Sequence, residues 1–263
     1  QEYFLIDREL YEKRLDLLLC GRTLFGAMPP KGQEMDDHYY GRLRLRISDY
    51  MHDLDAELWS LGVPAKTKHN EVAPAQHELA CIYNTANIAC DQNQITMESM
   101  RTVAKKKGLA CLLHEKPFSG LSGSGKHVNW SLSTDGGKNL FSPGKNPSEN
   151  ISFLLFTAAM IAGVDEYQDL MRFSSATASN DTRLGAHEAP PTVISVFLGD
   201  ELCEIYDAIE NSHSVEKRSS VSLDTGVVSV PSFNKDTTDR NRTSPCAFTG
   251  NKFEFRMCGS SAS

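Results

Sequence analysis

Lys66-Thr-Lys-His-Asn-Glu71-Val-Ala-Pro74-Ala-Gln-His-Glu78-Leu79 carries two carboxylates on either side of a proline turn. Pro74 and its small neighbours break the backbone, and beyond them Leu79, Cys81 and Tyr83 alternate with Glu78, Ala80 and Ile82, the period of a strand. Glu71 and Glu78 can therefore point into one cavity. Facing carboxylates destabilise a fold unless positive charge lies between them, and a divalent cation with oxygen ligands meets that need. Two surface acids on a hairpin remain the other reading.

The 263 residues can bury a sizeable core, as one large or two small domains. A net charge of −7 argues against a general nucleic-acid binder, and the one dense basic run, Lys105-Lys106-Lys107, closes a helix where cations suit the dipole. The seven cysteines are scattered, with no Cys-x-x-Cys pair, which fits a reduced cytoplasmic setting. The longest apolar stretch, 151–164, is too short to cross a bilayer, so no membrane partner is expected. Residues 1–6 read as a buried strand already under way, and nothing closes the fold after Phe253-Glu254-Phe255-Arg256. A fragment of a longer protein is expected.

Leucine spacing predicts a helix over 10–19, followed by a Gly/Pro loop over 21–32. Leu43, Ile47, Met51, Leu54, Leu58 and Leu61 recur at three and four residues up to Gly62, an amphipathic helix with its C-terminal glycine. A second helix over 88–107 stops at Gly108, and an apolar strand follows over 109–113. Residues 127–132 alternate as a strand. Asn146-Pro147-Ser148-Glu149 places an N-cap, a proline at the first helical position and a glutamate at the third, opening a helix apolar on nearly all sides and hence internal. A buried strand over 192–198, a helix over 200–211, a Ser-rich connection over 212–239 and a last strand over 246–256 complete the chain. In that strand Lys252, Glu254 and Arg256 share one face, either toward a site or as a solvated sheet face.

Gly120-Leu-Ser-Gly-Ser-Gly-Lys126-His127 fits Gly-x4-Gly-Lys, but His127 stands where a P-loop needs Ser or Thr, and a strand rather than a helix follows. His127 is then either a metal ligand or a hydrogen-bonded core histidine. Arg183-Leu-Gly-Ala-His-Glu188-Ala-Pro-Pro191 sets an arginine and a carboxylate on a proline-stiffened loop, suited to bidentate carboxylate or phosphate recognition and to proton acceptance, or to a plain surface ion pair.

Five blocks, in order, carry a resemblance to the glutamine synthetases, particularly the type III branch. They are Glu2-Tyr-Phe-Leu-Ile-Asp; His69 through Glu78; Gly123-Ser-Gly-Lys-His127-Val-Asn-Trp-Ser131; Arg183 through Pro191; and Asn241-Arg-Thr-Ser-Pro with Asn251-Lys-Phe-Glu-Phe-Arg256. The resemblance covers nearly the whole chain. It implies an α+β fold, a curved antiparallel sheet with surrounding helices, in which 1–263 form a catalytic domain truncated at both ends, without the family's N-terminal β-grasp domain. By matching position, Glu2, Glu71 and Glu78 would bind one divalent ion, and His127 and Glu254 a second, Mg²⁺ or Mn²⁺. A further acid of the second site would sit just before Gln1. Gly123 and Arg183 would hold substrate glutamate together with Glu188, with Arg256 near its side-chain carboxylate. Asn129, Ser131, Arg242 and Lys252 would lie along ATP. Glu188, with Arg256 the catalytic pair, would shield the intermediate and deprotonate ammonium.

Two departures inside the chain bear on this mapping. Ser122 stands where the family usually has Asn, and Ala247 where other branches carry a second arginine. The implied activity is ATP-dependent ligation of ammonia to L-glutamate through γ-glutamyl phosphate, in homo-oligomers of stacked rings, dodecamers in the family. A γ-glutamyl-amine ligase acting on polyamines, or a non-catalytic relative kept for structure or regulation, are the alternatives. Intact ligand positions argue against the latter, since a lost activity would leave buried acids unpaired. Residues 1–263 alone are expected to be poorly active.

Overall fold

The computed structural model describes residues 1–174, 193–212, 222–223, 233–234 and 244–256. Two compact units emerge, one built mainly from 1–127 and one from 128–171 with 193–256.

The first unit is organised around β1 (Glu2–Asp7), whose neighbours are β3 (Gln76–Cys81) on one side and β4 (Leu109–Leu112) on the other. Adding β2 (Ala65–Asn70) outside β3 gives a four-stranded, wholly antiparallel sheet of order β2-β3-β1-β4. Alternation along β1 sends Tyr3 and Leu5 to one face, where they pack with Tyr50, Met51, Leu54 and Leu58 of α3 (Leu45–Ser60) and with Met97, Met100 and Val103 of α4 (Ala86–Lys106). Phe4 goes to the other face and packs with Leu17, Ala73, Leu112 and Leu121. Both helices end as expected, at Gly62 (φ 77°) and Gly108 (φ 66°), where the left-handed backbone favours glycine.

The helix expected over 10–19 is two short ones, α1 (Arg8–Glu12) and α2 (Leu15–Cys20). Arg14 is extended at the break because its guanidinium grips Asp16 twice, at 3.0 and 2.6 Å, and donates to the Phe25 carbonyl at 2.6 Å. Those bonds outweigh leucine periodicity.

In the second unit β5 (Val128–Trp130), β10 (Phe253–Phe255), β9 (Cys246–Phe248) and β6 (Val196–Phe197) form a sheet in that order. The β6·β9 pair is parallel and the others antiparallel. Trp130, Phe141, Phe248 and Phe253 stack edge to face or tilted, with centroids 5.0–6.0 Å apart, and Phe153 joins through Phe248 at 5.7 Å.

Three expectations change here. The strand over 246–256 is a hairpin, folded back at 249–252 where Thr249 N–H donates to the Lys252 carbonyl (2.8 Å) and Gly250 has φ 91°. Residues 147–149 form only a 3₁₀ turn, and α5 (Ile151–Phe173) starts after Asn150, whose Oδ1 accepts from Phe153 N–H at 3.2 Å. Helix α5 is not internal all round: Phe153, Leu154, Thr157, Met160 and Val164 are buried, whereas Ile151, Leu155, Leu170 and Phe173 are exposed. Helix α6 (Asp200–Glu210) is tied to α5 by Tyr206 Oη donating to the Leu154 carbonyl, and β7 (Ser222–Leu223) pairs with β8 (Phe233–Asn234) inside the Ser-rich connection, most of which lies outside the described residues.

Candidate active site

Cross-strand register assembles the acidic cluster. Glu2 of β1 lies opposite Glu78 of β3, and Glu78 lies opposite His69 of β2. Residues paired in register share a sheet face, so these three form a row across three strands. Glu71 sits just past β2, where its N–H donates to the Gln76 carbonyl at 2.9 Å to close the turn. That turn is built in: Ala75 is left-handed (φ 63°) and its carbonyl accepts Leu5 N–H at 3.0 Å, tying the hairpin to β1. With side chains only 16% and 21% exposed, Glu71 and Glu78 are not surface acids.

The loop over 120–125 delivers His127. Its Gly125 N–H donates to Glu2 Oε2 at 2.6 Å, the Gly125 carbonyl accepts Glu2 N–H at 3.0 Å, and His127 Nε2 lies 3.5 Å from Glu2 Oε1. A Cβ at position 125 would stand 3.1 Å from His127 Nε2 and 3.3 Å from Glu2 Oε2, so any larger residue here would press on both side chains. Buried Gln76 donates to the Gly123 carbonyl at 2.9 Å and fixes the loop against the turn. Strand β5, not a helix, follows the loop, as a P-loop would not allow.

Two sets of side chains present ligand atoms within 4.8 Å of one another: Glu2, Glu78 and His127; and His69, Glu71 and Glu78. Glu78 belongs to both, because β3 lies between β1 and β2. The structure thus brings His127 beside Glu2 and Glu78, a grouping different from the one the resemblance implies. His69 was missed in the sequence, although His-x-Glu in an extended segment shares a face and was the available signal. Its Nδ1–H donates to the Asn70 carbonyl at 2.8 Å, and its Nε2 lies 3.0 Å from Glu78 Oε2. A Glu71 carboxyl pushed up to about 7 by burial and by the charge of Glu78 calls for a proton or a cation between the two carboxylates. The donor set, carboxylate oxygens with imidazoles, fits a divalent metal.

In the second unit Glu254 is buried on β10, flanked in register by Asn129 of β5 and Ala247 of β9. Arg256 reaches back to Glu254 Oε1, with Nη2 at 3.0 Å. Lys252 lies in the hairpin turn, half-buried, and Asn129 and Ser131 are exposed. Ala247 is fully buried in the central part of the sheet. Arg183, Glu188 and Arg242 lie outside the described residues.

Residues 1–213 match the family described as "Glutamine synthetase, catalytic domain". A glutamine synthetase of Butyrivibrio fibrisolvens is 62% identical over 254 residues, covering 97% of this chain and 36% of that protein. The type-3 glutamine synthetase of Dictyostelium discoideum is 56% identical over 261 residues, covering 99% and 36% respectively. The chain therefore spans 36% of the length of these relatives. Among solved structures, ligand-free GmaS superposes with TM-score 0.62 at 19% identity, over 99% of this chain and 48% of that one. A Plasmodium falciparum glutamine synthetase gives TM-score 0.55 at 19% identity, over 82% and 34%. At such identities the likeness speaks for the α+β fold alone.

Proposed function

The chain belongs to the glutamine synthetase catalytic-domain family, and from that premise we propose that it carries the active-site half of an enzyme joining ammonia to L-glutamate at the expense of ATP. The observation that carries the reading is Glu78, shared between the Glu2–His127 and His69–Glu71 sets. Buried carboxylates converging in that way suit two neighbouring cations better than a purely structural role. Glu2, Glu71, Glu78 and His127, with His69 added, would hold Mg²⁺ or Mn²⁺, and Glu254 is carried as a metal ligand by the family resemblance alone. When bound, the cations neutralise the phosphoryl group passing from ATP to the glutamate side-chain carboxylate.

The residues of the chain then divide the work. Gly123 and Arg183 bind substrate glutamate, and Arg256 balances its reacting carboxylate. Asn129, Ser131, Arg242 and Lys252 line the nucleotide. Glu188 takes a proton from ammonium, the form in which ammonia mostly arrives at neutral pH, and the ammonia so formed attacks the γ-carbonyl of γ-glutamyl phosphate and displaces phosphate. We also place the enzyme in a reduced, cytoplasmic setting, as a homo-oligomer of stacked rings up to a dodecamer. The free thiols among the described residues support the compartment, and no helix among those residues is long and apolar enough to cross a membrane. Residues 1–263 are proposed to be catalytic-domain throughout.

The test is ATP-dependent product formation by the full-length protein from glutamate with ammonium, methylamine or putrescine. Glutamine as the preferred product is expected. Exclusive coupling of the larger amines, or no ATP-dependent product, overturns the reading.

A further inference from the structure

The loop over 120–125 is pinned residue by residue. Lys116 Nζ donates to the Leu121 carbonyl at 3.1 Å, Gln76 holds the Gly123 carbonyl, Ser124 N–H donates to the Glu115 carbonyl at 2.8 Å, and Glu2 holds Gly125. Ser122 is held from another distant stretch of the chain, by the carboxamide of Gln33. Gln33 Oε1 accepts Ser122 N–H at 2.6 Å, and Gln33 Nε2 donates to Ser122 Oγ at 3.0 Å. One side chain thus meets both the main chain and the hydroxyl of a single residue.

The polarity of that pair has a chemical consequence. A serine hydroxyl has one proton to give and two lone pairs to receive. Because Gln33 Nε2 can only donate, Ser122 Oγ is the acceptor, and its own proton stays free to be donated elsewhere. Accepting one hydrogen bond also polarises the hydroxyl as a donor. We propose that Gln33 is a positioning residue that turns Ser122 into a hydrogen-bond donor for the amino-acid substrate, so that Gln33 and Ser122 together set the affinity for glutamate. The inference rests on the proposed function, which places substrate glutamate at the neighbouring Gly123.

The segment that carries Gln33 is anchored at its far end as well. The Gly41 carbonyl accepts Asn70 Nδ2–H at 3.0 Å, and the Tyr39 ring meets the His69 ring edge-on at 5.4 Å. Residues 33–41 therefore run from the glycine-rich loop to the Glu71 hairpin. Between the anchors Met35 and Asp36 hold left-handed backbone, φ 55° and 54°, which non-glycine residues adopt only when their surroundings enforce it. That local strain is sustained by the two ends, one of which is the Gln33–Ser122 pair.

Full-length wild type, Gln33→Met, Gln33→Glu, Ser122→Ala and Gln33→Met/Ser122→Ala proteins are compared for glutamine formation. Losing a hydrogen bond to a charged substrate should raise the KM for glutamate roughly tenfold in Gln33→Met and in Ser122→Ala, with the KM for ATP and kcat at saturating glutamate within about twofold. The double variant should be no worse than either single one. Gln33→Glu keeps the bond from Ser122 N–H, and so the loop, but draws the hydroxyl proton to itself. It too should bind glutamate more weakly, which keeps the proposal testable if Gln33→Met fails to fold. Unchanged glutamate KM in Gln33→Glu, multiplying effects in the double variant, or equal losses for ATP and glutamate would each overturn the role of Gln33. An inactive wild type would instead overturn the proposed function, and this inference with it.

Discussion

His77 faces away from the acidic row and into the core, 5% exposed, with Nδ1–H donating to Asn70 Oδ1 at 3.0 Å. Burial first, and the nearby His69 second, push its pKa down from 6.5 to about 4. The unfolded chain therefore takes up a proton as pH falls below 6.5, while the folded chain refuses it until about 4. The contribution of His77 to stability should fall through that window and level off below it, by about 3 kcal/mol for a shift of this size, against the opposite contribution of Glu71 over the same pH range. Urea denaturation at pH 7 and pH 5 checks it: on going from pH 7 to pH 5, His77→Gln should gain stability relative to wild type, and the same pH 7-to-5 change in both proteins would refute the assignment. At Gly125 the expectation is local. Gly125→Ala should leave the fold intact but displace Glu2 and His127, weakening divalent-cation binding roughly 10–100-fold, the scale of lost supporting contacts around a metal. Calorimetric titration with Mn²⁺ reads this directly, and wild-type affinity would show that the loop yields instead.

Among the elements, what could be read beforehand was whatever depends on neighbours in sequence. Helices α3 and α4 show an apolar stripe and stop at a glycine, β1 is a short apolar run and β3 alternates, so they were legible. The break between α1 and α2 was not, because Arg14 answers to Asp16 and to the Phe25 carbonyl rather than to its leucines. Nor was the start of α5, where two asparagines competed for one cap. Asn146 spends its amide on Glu149 Oε2 at 3.0 Å, whereas Asn150 accepts from Phe153 N–H and donates to the Ser142 and Pro143 carbonyls at 3.1 and 3.2 Å. Asn150→Ala should thus cost about 1–2 kcal/mol and Asn146→Ala only a few tenths. Denaturation midpoints of the two variants decide it, and equal losses would return the cap to Asn146.

At the scale of the molecule, the first unit gathers its site from stretches far apart in sequence: Glu2, the 69–78 hairpin and the 123–127 loop. Glu71 and Glu78 stood out beside a proline turn, but their partners were fixed by strand order, since only the placement of β3 between β1 and β2 puts Glu78 within reach of both His127 and His69. That gathering makes stability, metal and pH interdependent. Glu71 has its pKa raised from 4.5 to about 7, by burial first and then by Glu78. Without a cation the folded protein keeps this proton while the unfolded chain has already lost it, so stability should decline as pH rises from 4.5 through 7. A divalent cation displaces the proton, and its binding should strengthen over the same interval. At one fixed concentration of Mn²⁺ or Mg²⁺ the stabilisation, about 2.7 kcal/mol where that concentration is a hundred times the Kd, should therefore be larger at pH 8 than at pH 5.5. Melting curves of the full-length protein with chelator or with metal at both pH values measure this. In Glu71→Gln the metal-free protein should no longer weaken between pH 5.5 and 8 on this account, and the metal effect should shrink. Metal stabilisation that is independent of pH, or undiminished in Glu71→Gln, would mean that the cation is held without Glu71, by the Glu2–Glu78–His127 set alone.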